Sequence, residues 1–246
     1  MYDSTPIFPL STQEKIFIAG PCAIESETIL EKIAQVVSEM GWKFLRGGAF
    51  KPRTSPYSFQ GLGEAGLKIL HRVAKKYGLY SVSEVLSEED VMMVCEYVDI
   101  LQVGSRNAQN TALLKKVGKI RKPILLKRGM MMKLDELLLA AEYITSAGNK
   151  NVILCERGIR TFETALRNTL DLSAIPYIKE KTTLPIIVDP SHATGKAAYV
   201  PAMSRAALAA GADGIMIEVH PDPKQALSDG HQAITLEVFR TLAQSF

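Results

Sequence analysis

In the stretch Pro185-Ile186-Ile187-Val188-Asp189-Pro190-Ser191-His192, a short apolar run ends abruptly in polar residues. A continuously apolar run is typical of a parallel strand that is buried on both faces, because a half-exposed strand would alternate apolar and polar residues. Similar runs recur along the chain at spacings of roughly 20–35 residues, the length of one strand followed by one helix. They cover residues 16–19, 43–46, 79–82, 98–103, 123–126, 152–155, 185–188 and 214–217.

The segments between these runs have the apolar spacing of helices. Leu134, Leu137, Leu138 and Ala141, for example, fall on one helical face. Eight strand–helix units in 246 residues predict an α/β fold, a (β/α)8 TIM barrel. A doubly wound open sheet is the alternative, and the lack of a GxGxxG motif after the first run argues against it. We therefore expect one barrel domain over residues 1–246, with residues 1–14 as a short N-terminal extension and no added regulatory domain.

The overall composition argues against several classes of protein. A net charge of +3 is too small to predict binding to nucleic acid. No apolar run reaches the roughly 18 residues of a membrane-spanning helix, and the N-terminus lacks the pattern of a signal peptide. Cys22, Cys95 and Cys155 form no CxxC pair, so a disulfide framework is not expected. These features predict a cytoplasmic protein that binds neither nucleic acid nor a membrane.

Polar and charged residues follow most of the predicted strands. Active sites of (β/α)8 barrels lie at the carboxyl ends of the strands, so these residues should meet on one face. They fall in residues 20–22, 46–54, 104–107, 127–129, 156–158, 189–192 and 218–221. One charged strand end would indicate only a solvated loop, but six that carry Arg, Lys, His or Glu predict a shared anion-binding pocket.

A candidate metal site comes from the first, seventh and eighth strands. Cys22, His192 and Glu218 follow these strands, which are neighbours in a closed barrel, and Asp229 lies in a turn that can fold back over the same point. A thiolate, an imidazole and two carboxylates suit Mn²⁺, Fe²⁺, Co²⁺ or Zn²⁺ better than Mg²⁺. From the residues alone, Cys22 could equally be an ordinary buried thiol.

Basic residues form two further groups. Arg106, Lys127 and Arg157 follow adjacent strands and could converge on one phosphate. The second group follows the second strand and could bind a carboxylate and a second phosphate; it comprises Arg46, Lys51 and Arg53, with Thr54 as a hydroxyl donor. This arrangement predicts two anionic substrates. Lys127 has a second interpretation, because a lysine inside a barrel could form a Schiff base with a carbonyl substrate.

Several of these stretches together resemble one enzyme family. They are residues 19–26 (AGPCAIES), 46–56 (RGGAFKPRTSP), 104–107 (GSRN), 189–192 (DPSH) and 218–220 (EVH). In this order they resemble the class I beta group of 3-deoxy-D-arabino-heptulosonate 7-phosphate (DAHP) synthases, over nearly the whole chain. The resemblance implies condensation of phosphoenolpyruvate with erythrose 4-phosphate, which is the first step of the shikimate pathway. It also implies a homotetramer built as a dimer of dimers.

The resemblance also implies roles for individual residues. Cys22, His192, Glu218 and Asp229 match the metal ligands, with Mn²⁺ as the expected ion and Fe²⁺, Co²⁺ and Zn²⁺ as alternatives. The matching substrate contacts are Arg106, Lys127 and Arg157 for the phosphate of phosphoenolpyruvate, Arg46 and Lys51 for its carboxylate and reacting end, and Arg53 and Thr54 for erythrose 4-phosphate. Ser105, Glu156 and Asp189 complete the candidate substrate-binding set. We expect Lys127 to relay a proton, Glu156 to orient the water, and Asp189 to act as a partner behind the metal ligands.

Three other functions remain open at this stage. The related 3-deoxy-D-manno-octulosonate 8-phosphate synthases use arabinose 5-phosphate as the aldehyde, but they typically have Lys-Ala-Asn-Arg-Ser where this chain has Lys51-Pro52-Arg53-Thr54. A metal-dependent hydrolase would be expected to carry a His-x-His pair after its first strand, and none occurs. A non-catalytic sensor of sugar phosphates could use the same pocket. Because the chain offers no length for a regulatory domain beside the barrel, we expect little inhibition by phenylalanine or tyrosine.

Overall fold

The computed structural model describes residues 14–52 and 55–246. In this part of the chain, eight parallel strands close into a barrel in the order of the sequence. The strands are β1 (Ile16–Gly20), β2 (Phe44–Arg46), β3 (Tyr80–Val85), β4 (Ile100–Val103), β5 (Ile124–Lys127), β6 (Val152–Glu156), β7 (Ile186–Val188) and β8 (Gly214–Glu218). The predicted (β/α)8 barrel is confirmed, and the open sheet is excluded because β1 pairs with β8.

Helices connect the strands and form the outer layer. They are α1 (Glu27–Glu39), α2 (Gly63–Lys76), α3 (Asp90–Tyr97), α4 (Thr111–Val117), α5 (Leu134–Ser146), α6 (Ala174–Lys181), α7 (Pro190–Thr194), α8 (Val200–Ala209) and α9 (Leu236–Ala243). Two helices, α7 and α8, lie between β7 and β8, where the sequence pattern predicted one. None of the helices described is both long enough and apolar enough to cross a membrane.

The apolar core has two parts. One fills the inside of the barrel and contains residues from all the strands; its members are Ile16, Ile18, Phe44, Val82, Ile100, Leu125, Ile153, Cys155, Ile187 and Met216. The other lies between the strands and the surrounding helices. Because successive side chains of a strand point to opposite faces, residues two positions beyond an inward-facing apolar residue also point into the barrel. This alternation decides which polar side chains point into the barrel at the carboxyl ends of the strands.

Two predicted strands differ from the structure by two residues or more at one end, whereas the others differ by one residue at an end. The third run continues to Val85 rather than stopping at Val82, so the strand includes Glu84. The fourth begins at Ile100 rather than Val98, because Val98 terminates α3 and the Asp99 carboxylate accepts hydrogen bonds from the Ser81 backbone N–H and hydroxyl.

Gly214 is expected to be the most sensitive glycine at the junction of β1 and β8. A Cβ atom at this position would lie 1.9 Å from the carbonyl oxygen of Ile16. We expect Gly214→Ala to destabilise the protein by about 3 kcal/mol, near the upper end of the usual cost of overpacking. That corresponds to a fall in Tm of about 6–12 °C for a chain of this size, measurable by thermal denaturation.

Gly41→Ala is the comparison, because a Cβ there meets no atom within 4 Å and adds only the strain of a backbone with φ +74°. We expect this strain to cost about 1 kcal/mol. An equal or smaller loss for Gly214→Ala would contradict the close approach of the two strands.

Candidate active site

A cavity of about 320 Å³ opens at the carboxyl ends of the strands. Among the residues described, six basic side chains line it: Arg46, Lys51, Arg106, Lys127, Arg157 and Arg167. We call this space the basic cavity. A concave surface with converging guanidinium and ammonium groups is suited to bind phosphate and carboxylate groups.

Cys22, His192, Glu218 and Asp229 lie together at one side of the basic cavity. Each offers one ligand atom, and these atoms all lie within 4.8 Å of one another. His192 Nε2 is 3.2 Å from Glu218 Oε1 and 3.9 Å from Asp229 Oδ2. Cys22 Sγ is 3.4 Å from Asp229 Oδ2. We call this set the four-ligand cluster.

The barrel brings these four residues together from opposite ends of the chain. Gly20 is paired with Glu218 across the junction of β1 and β8, so Cys22 follows its strand at the level where Glu218 ends β8. Asp189 directly follows β7 and caps α7, which carries His192. Asp229 adopts a left-handed backbone conformation with φ 51°, which aspartate tolerates better than most residues.

His192 is held in the form that a metal ligand requires. Its Nδ1 is 2.7 Å from Asp189 Oδ2, which Lys127 Nζ also contacts at 2.5 Å. Burial lowers the pKa of His192 to about 4, despite the nearby carboxylates, so the ring is neutral at pH 7. With the proton on Nδ1 donated to Asp189, the Nε2 lone pair faces Glu218. Two acceptors 3.2 Å apart repel each other unless a cation lies between them, and this arrangement fits a divalent ion.

The protonation states of the other three ligands also follow from their surroundings. Burial, reinforced by the charge of Glu218, raises the pKa of the Cys22 thiol to about 12. Burial also acts to raise the pKa of Glu218 and Asp229, but neighbouring cations and His192 keep both below their usual values. The cluster therefore contains two carboxylates, a neutral imidazole and a protonated thiol until a cation binds.

Arg157 is short of hydrogen-bond partners although it is buried. Its Nε finds no partner among the residues described, and its two terminal nitrogens make long contacts of 3.4 and 3.3 Å to the carbonyl oxygens of Gly158 and His192. Burial lowers its pKa. An incompletely satisfied buried guanidinium at a cavity wall indicates that an anion is the missing partner.

The residues predicted to bind phosphate and those predicted to bind a carboxylate mostly line the same cavity. Arg106, Lys127 and Arg157, predicted to converge, all line the basic cavity, and so do Ser105 and the pair Arg46 and Lys51. Arg46 already donates to Glu218 at 2.5 Å, so it links the cavity to the four-ligand cluster. Arg53 and Thr54 lie outside the described residues.

Glu156 and Asp189 do not line the basic cavity, contrary to the prediction that they bind substrate. The Glu156 carboxylate is fully buried and accepts hydrogen bonds from Arg128 at 2.8 Å and from the Gly158 backbone at 2.6 Å. Asp189 lies behind Lys127 and His192, as expected for a partner of the ligands. Of the other cysteines, Cys155 is buried and Cys95 on α3 is half-buried.

Sequence analysis missed Glu84, Gln102 and Arg167, all of which line the basic cavity. Strand alternation could have found the first two, since each lies two positions beyond an inward-facing apolar residue, Val82 or Ile100. The same rule turns Glu156 away from the cavity, because its neighbour Cys155 points inward. Arg167 lies in the irregular stretch between β6 and α6, where no periodicity signals its position.

The closed barrel, the basic cavity and the four-ligand cluster define a class, the (β/α)8-barrel enzymes that act on anionic substrates beside a candidate metal centre. The model of the DAHP synthetase I family matches residues 11–246. The chain belongs to this family.

Individual relatives agree with this assignment. The chain is 58% identical to a phospho-2-dehydro-3-deoxyheptonate aldolase of Thermotoga maritima, over 92% of this chain and 67% of the relative. A crystal structure of the Thermotoga maritima phospho-2-dehydro-3-deoxyheptonate aldolase (DAHP synthase) superposes with a TM-score of 0.91 at 57% identity, over 94% of this chain and 68% of that one. A 2-dehydro-3-deoxyphosphooctonate aldolase of Desulfatibacillum aliphaticivorans is 34% identical, over 92% and 89%.

The protonation states of the four-ligand cluster predict that metal binding releases a proton. Only the Cys22 thiol must be deprotonated at neutral pH, so binding should release about one proton per ion, and affinity should rise about tenfold per pH unit near neutrality. Calorimetric titration with Mn²⁺ or Co²⁺ in buffers of different ionisation enthalpy measures this number. Cys22→Ser should weaken binding and reduce the proton release towards zero.

Cys95→Ser is the matched control and should change neither quantity, because Cys95 lies on α3, outside the cluster. Equal effects of the two substitutions would contradict the assignment of Cys22 as a ligand.

Proposed function

We propose that the protein condenses phosphoenolpyruvate with erythrose 4-phosphate and water to give DAHP and inorganic phosphate. The observation that carries this proposal is the basic cavity beside the four-ligand cluster, in a chain 58% identical to an enzyme named for the same product. The reaction needs cationic groups that bind phosphorylated substrates and a group that polarises the aldehyde of one of them. The basic cavity would supply the first, and an ion in the four-ligand cluster would supply the second.

Phosphoenolpyruvate would bind through the inner cations of the basic cavity. Its phosphate would face Arg106, Lys127 and Arg157, and the unsatisfied Nε of Arg157 supports this assignment. Its carboxylate would face Arg46 and Lys51, both of which are buried. Several donors from different strands fix both ends of the substrate and so orient its C3 atom.

Erythrose 4-phosphate would bind across the four-ligand cluster towards the loop after β2. We assign its phosphate to Arg53 and Thr54 by family resemblance, since these residues lie outside the described part of the chain. A divalent ion held by Cys22, His192, Glu218 and Asp229 would polarise the aldehyde carbonyl as a Lewis acid. We propose Mn²⁺ as this ion on family resemblance; the mixed soft and hard ligands suit Mn²⁺, Fe²⁺, Co²⁺ or Zn²⁺ better than Mg²⁺.

The bond changes follow from this arrangement. C3 of phosphoenolpyruvate attacks the aldehyde carbon, water adds at C2, and phosphate leaves from C2 by cleavage of the carbon–oxygen bond, so that the water oxygen becomes the C2 carbonyl oxygen. Of the two water protons, one ends on the aldehyde oxygen, which becomes a hydroxyl, and the other ends on the released phosphate. Lys127 is suited to relay the proton to the aldehyde oxygen, because its ammonium group lies at the cavity wall with Asp189 as its buried partner at 2.5 Å.

A Schiff base at Lys127 is less well supported. It would require Lys127 Nζ to be free to attack a carbonyl, whereas Nζ is held by Asp189 Oδ2 at 2.5 Å. The charged lysine is also useful as a phosphate contact, which a Schiff base would remove.

Glu84 is a better candidate than Glu156 for orienting the water. Its carboxylate lies at the cavity wall and contacts Gln102 Nε2 at 3.2 Å, which leaves acceptor capacity for a water molecule. Glu156 is instead occupied by Arg128 and the Gly158 backbone. We therefore move this role from Glu156 to Glu84.

The use of arabinose 5-phosphate as the aldehyde is the second candidate. Relatives named 2-dehydro-3-deoxyphosphooctonate aldolase are 34% identical or less among those compared, and the Pro52-Arg53 pair differs from the motif typical of that family. We propose the four-carbon aldehyde for this reason. We also propose a homotetramer, on family resemblance alone.

Turnover with the two aldehydes tests the proposed function. The purified protein with Mn²⁺ should consume phosphoenolpyruvate, measured by its ultraviolet absorbance, and release phosphate when erythrose 4-phosphate is present. Arabinose 5-phosphate should support much slower turnover. A chelator should abolish the reaction and added Mn²⁺ should restore it. Binding without turnover would instead indicate a sensor, and equal rates with both aldehydes would contradict the assigned specificity.

Paired substitutions test the assignment of the water-orienting group. Glu84→Gln should lower kcat by about 10²–10⁴, the usual contribution of a general base, with little change in Tm. Glu156→Gln should mainly lower Tm, because it breaks a buried ion pair, a change that usually costs about 3–5 kcal/mol. Steady-state kinetics and thermal denaturation of both variants separate the two roles. A larger loss of kcat in Glu156→Gln than in Glu84→Gln would indicate that Glu156, and not Glu84, orients the water.

A further inference from the structure

The two carboxylate oxygens of Glu218 have different surroundings. Oε1 faces the other ligands of the four-ligand cluster, 3.2 Å from His192 Nε2, and accepts a hydrogen bond from Arg46. Oε2 is turned the other way and accepts a hydrogen bond from Gln232 Nε2 at 2.5 Å. Glu218 and Gln232 are both fully buried, so water cannot replace this bond.

The orientation of the Gln232 amide is fixed by its second neighbour. Arg167 Nη1 donates to Gln232 Oε1 at 2.6 Å. Arginine can only donate and an ionised carboxylate can only accept, so the amide oxygen must face Arg167 and the amide nitrogen must face Glu218. A flipped amide would bring donor against donor and acceptor against acceptor, and it would leave buried polar groups unsatisfied.

Arg167 is itself fixed against the element that carries His192. Its backbone N–H donates to Thr194 O, and the N–H of the next residue, Asn168, donates to Ala193 O. The same Nη1 atom also lies 3.4 Å from Asp229 Oδ2. Arg167 therefore contacts the Asp229 carboxylate directly and orients the Gln232 amide that binds the Glu218 carboxylate.

We propose that Arg167 and Gln232 are positioning residues that restrict Glu218 to a single-oxygen ligand and thereby select the kind of ion that binds. Ca²⁺ takes six to eight oxygen ligands and often uses both oxygens of a carboxylate. Transition ions with thiolate and imidazole ligands are satisfied by fewer donors. With Oε2 held by Gln232, Glu218 can supply only Oε1. This inference rests on the proposed metal site.

Co²⁺ is a suitable probe, because its visible spectrum responds to coordination number and to thiolate ligation. Wild-type protein titrated with Co²⁺ should show a thiolate-to-cobalt charge-transfer band and strong ligand-field bands, which are typical of low coordination number. Gln232→Met removes the donor to Oε2 and frees this oxygen to join the ion. Arg167→Met leaves Gln232 in place but removes the group that fixes its amide, so the amide can rotate away from Oε2. Both should retain the charge-transfer band and lose ligand-field intensity, several-fold in Gln232→Met and less in Arg167→Met. Both should also shift the Ca²⁺ to Co²⁺ competition ratio towards Ca²⁺, by about tenfold in Gln232→Met.

Two further variants serve as controls. Arg167→Lys still donates to the amide oxygen and should keep the wild-type spectrum. Arg240→Met removes a surface arginine that pairs with Glu39 and should change neither spectrum nor selectivity. Because Arg167 is partly exposed, its variants test the proposal even if Gln232→Met does not fold.

The outcomes separate this inference from the proposed function. If wild-type protein binds no Co²⁺, or binds it without a thiolate band, the four-ligand cluster is not the metal site, and both proposals are wrong. If the wild-type protein gives the expected spectrum but the folded Gln232→Met and Arg167→Met variants keep it, with unchanged selectivity against Ca²⁺, the positioning role is wrong and the metal site stands.

Discussion

The buried carboxylate of Asp189 is the interaction on which the active face depends. It lies directly after β7 and accepts hydrogen bonds from Lys127 and from both the backbone and the ring of His192. Burial acts to raise its pKa, but His192 and Lys127 hold the pKa of this carboxyl well below its usual range. A permanently ionised group in this place starts α7, sets the tautomer of His192 and fixes a lysine at the cavity wall. One charge thus orients groups of both the four-ligand cluster and the basic cavity.

Much of this site was predictable from the order of the strands. In a closed parallel barrel the first and last strands are neighbours, so Cys22 and Glu218 had to meet once eight strand–helix units were recognised. His192 follows from the same reasoning, since β7 lies beside β8. The predicted cations after β4, β5 and β6 also reach one cavity, because the carboxyl ends of all parallel strands lie at one face.

The remaining features depend on information that strand order does not contain. Glu156 ends β6 and Arg157 directly follows it, yet strand alternation sends the two side chains to opposite sides, so proximity to a strand end was not sufficient. Arg167 and Gln232 lie in irregular segments, where position is set by individual backbone hydrogen bonds rather than by periodicity. Their contact joins residues that are 65 positions apart, and no local pattern in the sequence reports such a contact.

The pairing of β1 with β8 has a consequence for how the molecule is made. Cys22 leaves the ribosome long before Asp229, which lies 207 positions later in the chain. Until β8 is made, β1 lacks its partner at one edge, and the Cys22 thiol has none of its carboxylate neighbours. The nascent chain therefore cannot assemble the four-ligand cluster before β8 is made, and an ion bound there would link β1 to β8 across the junction that closes the barrel.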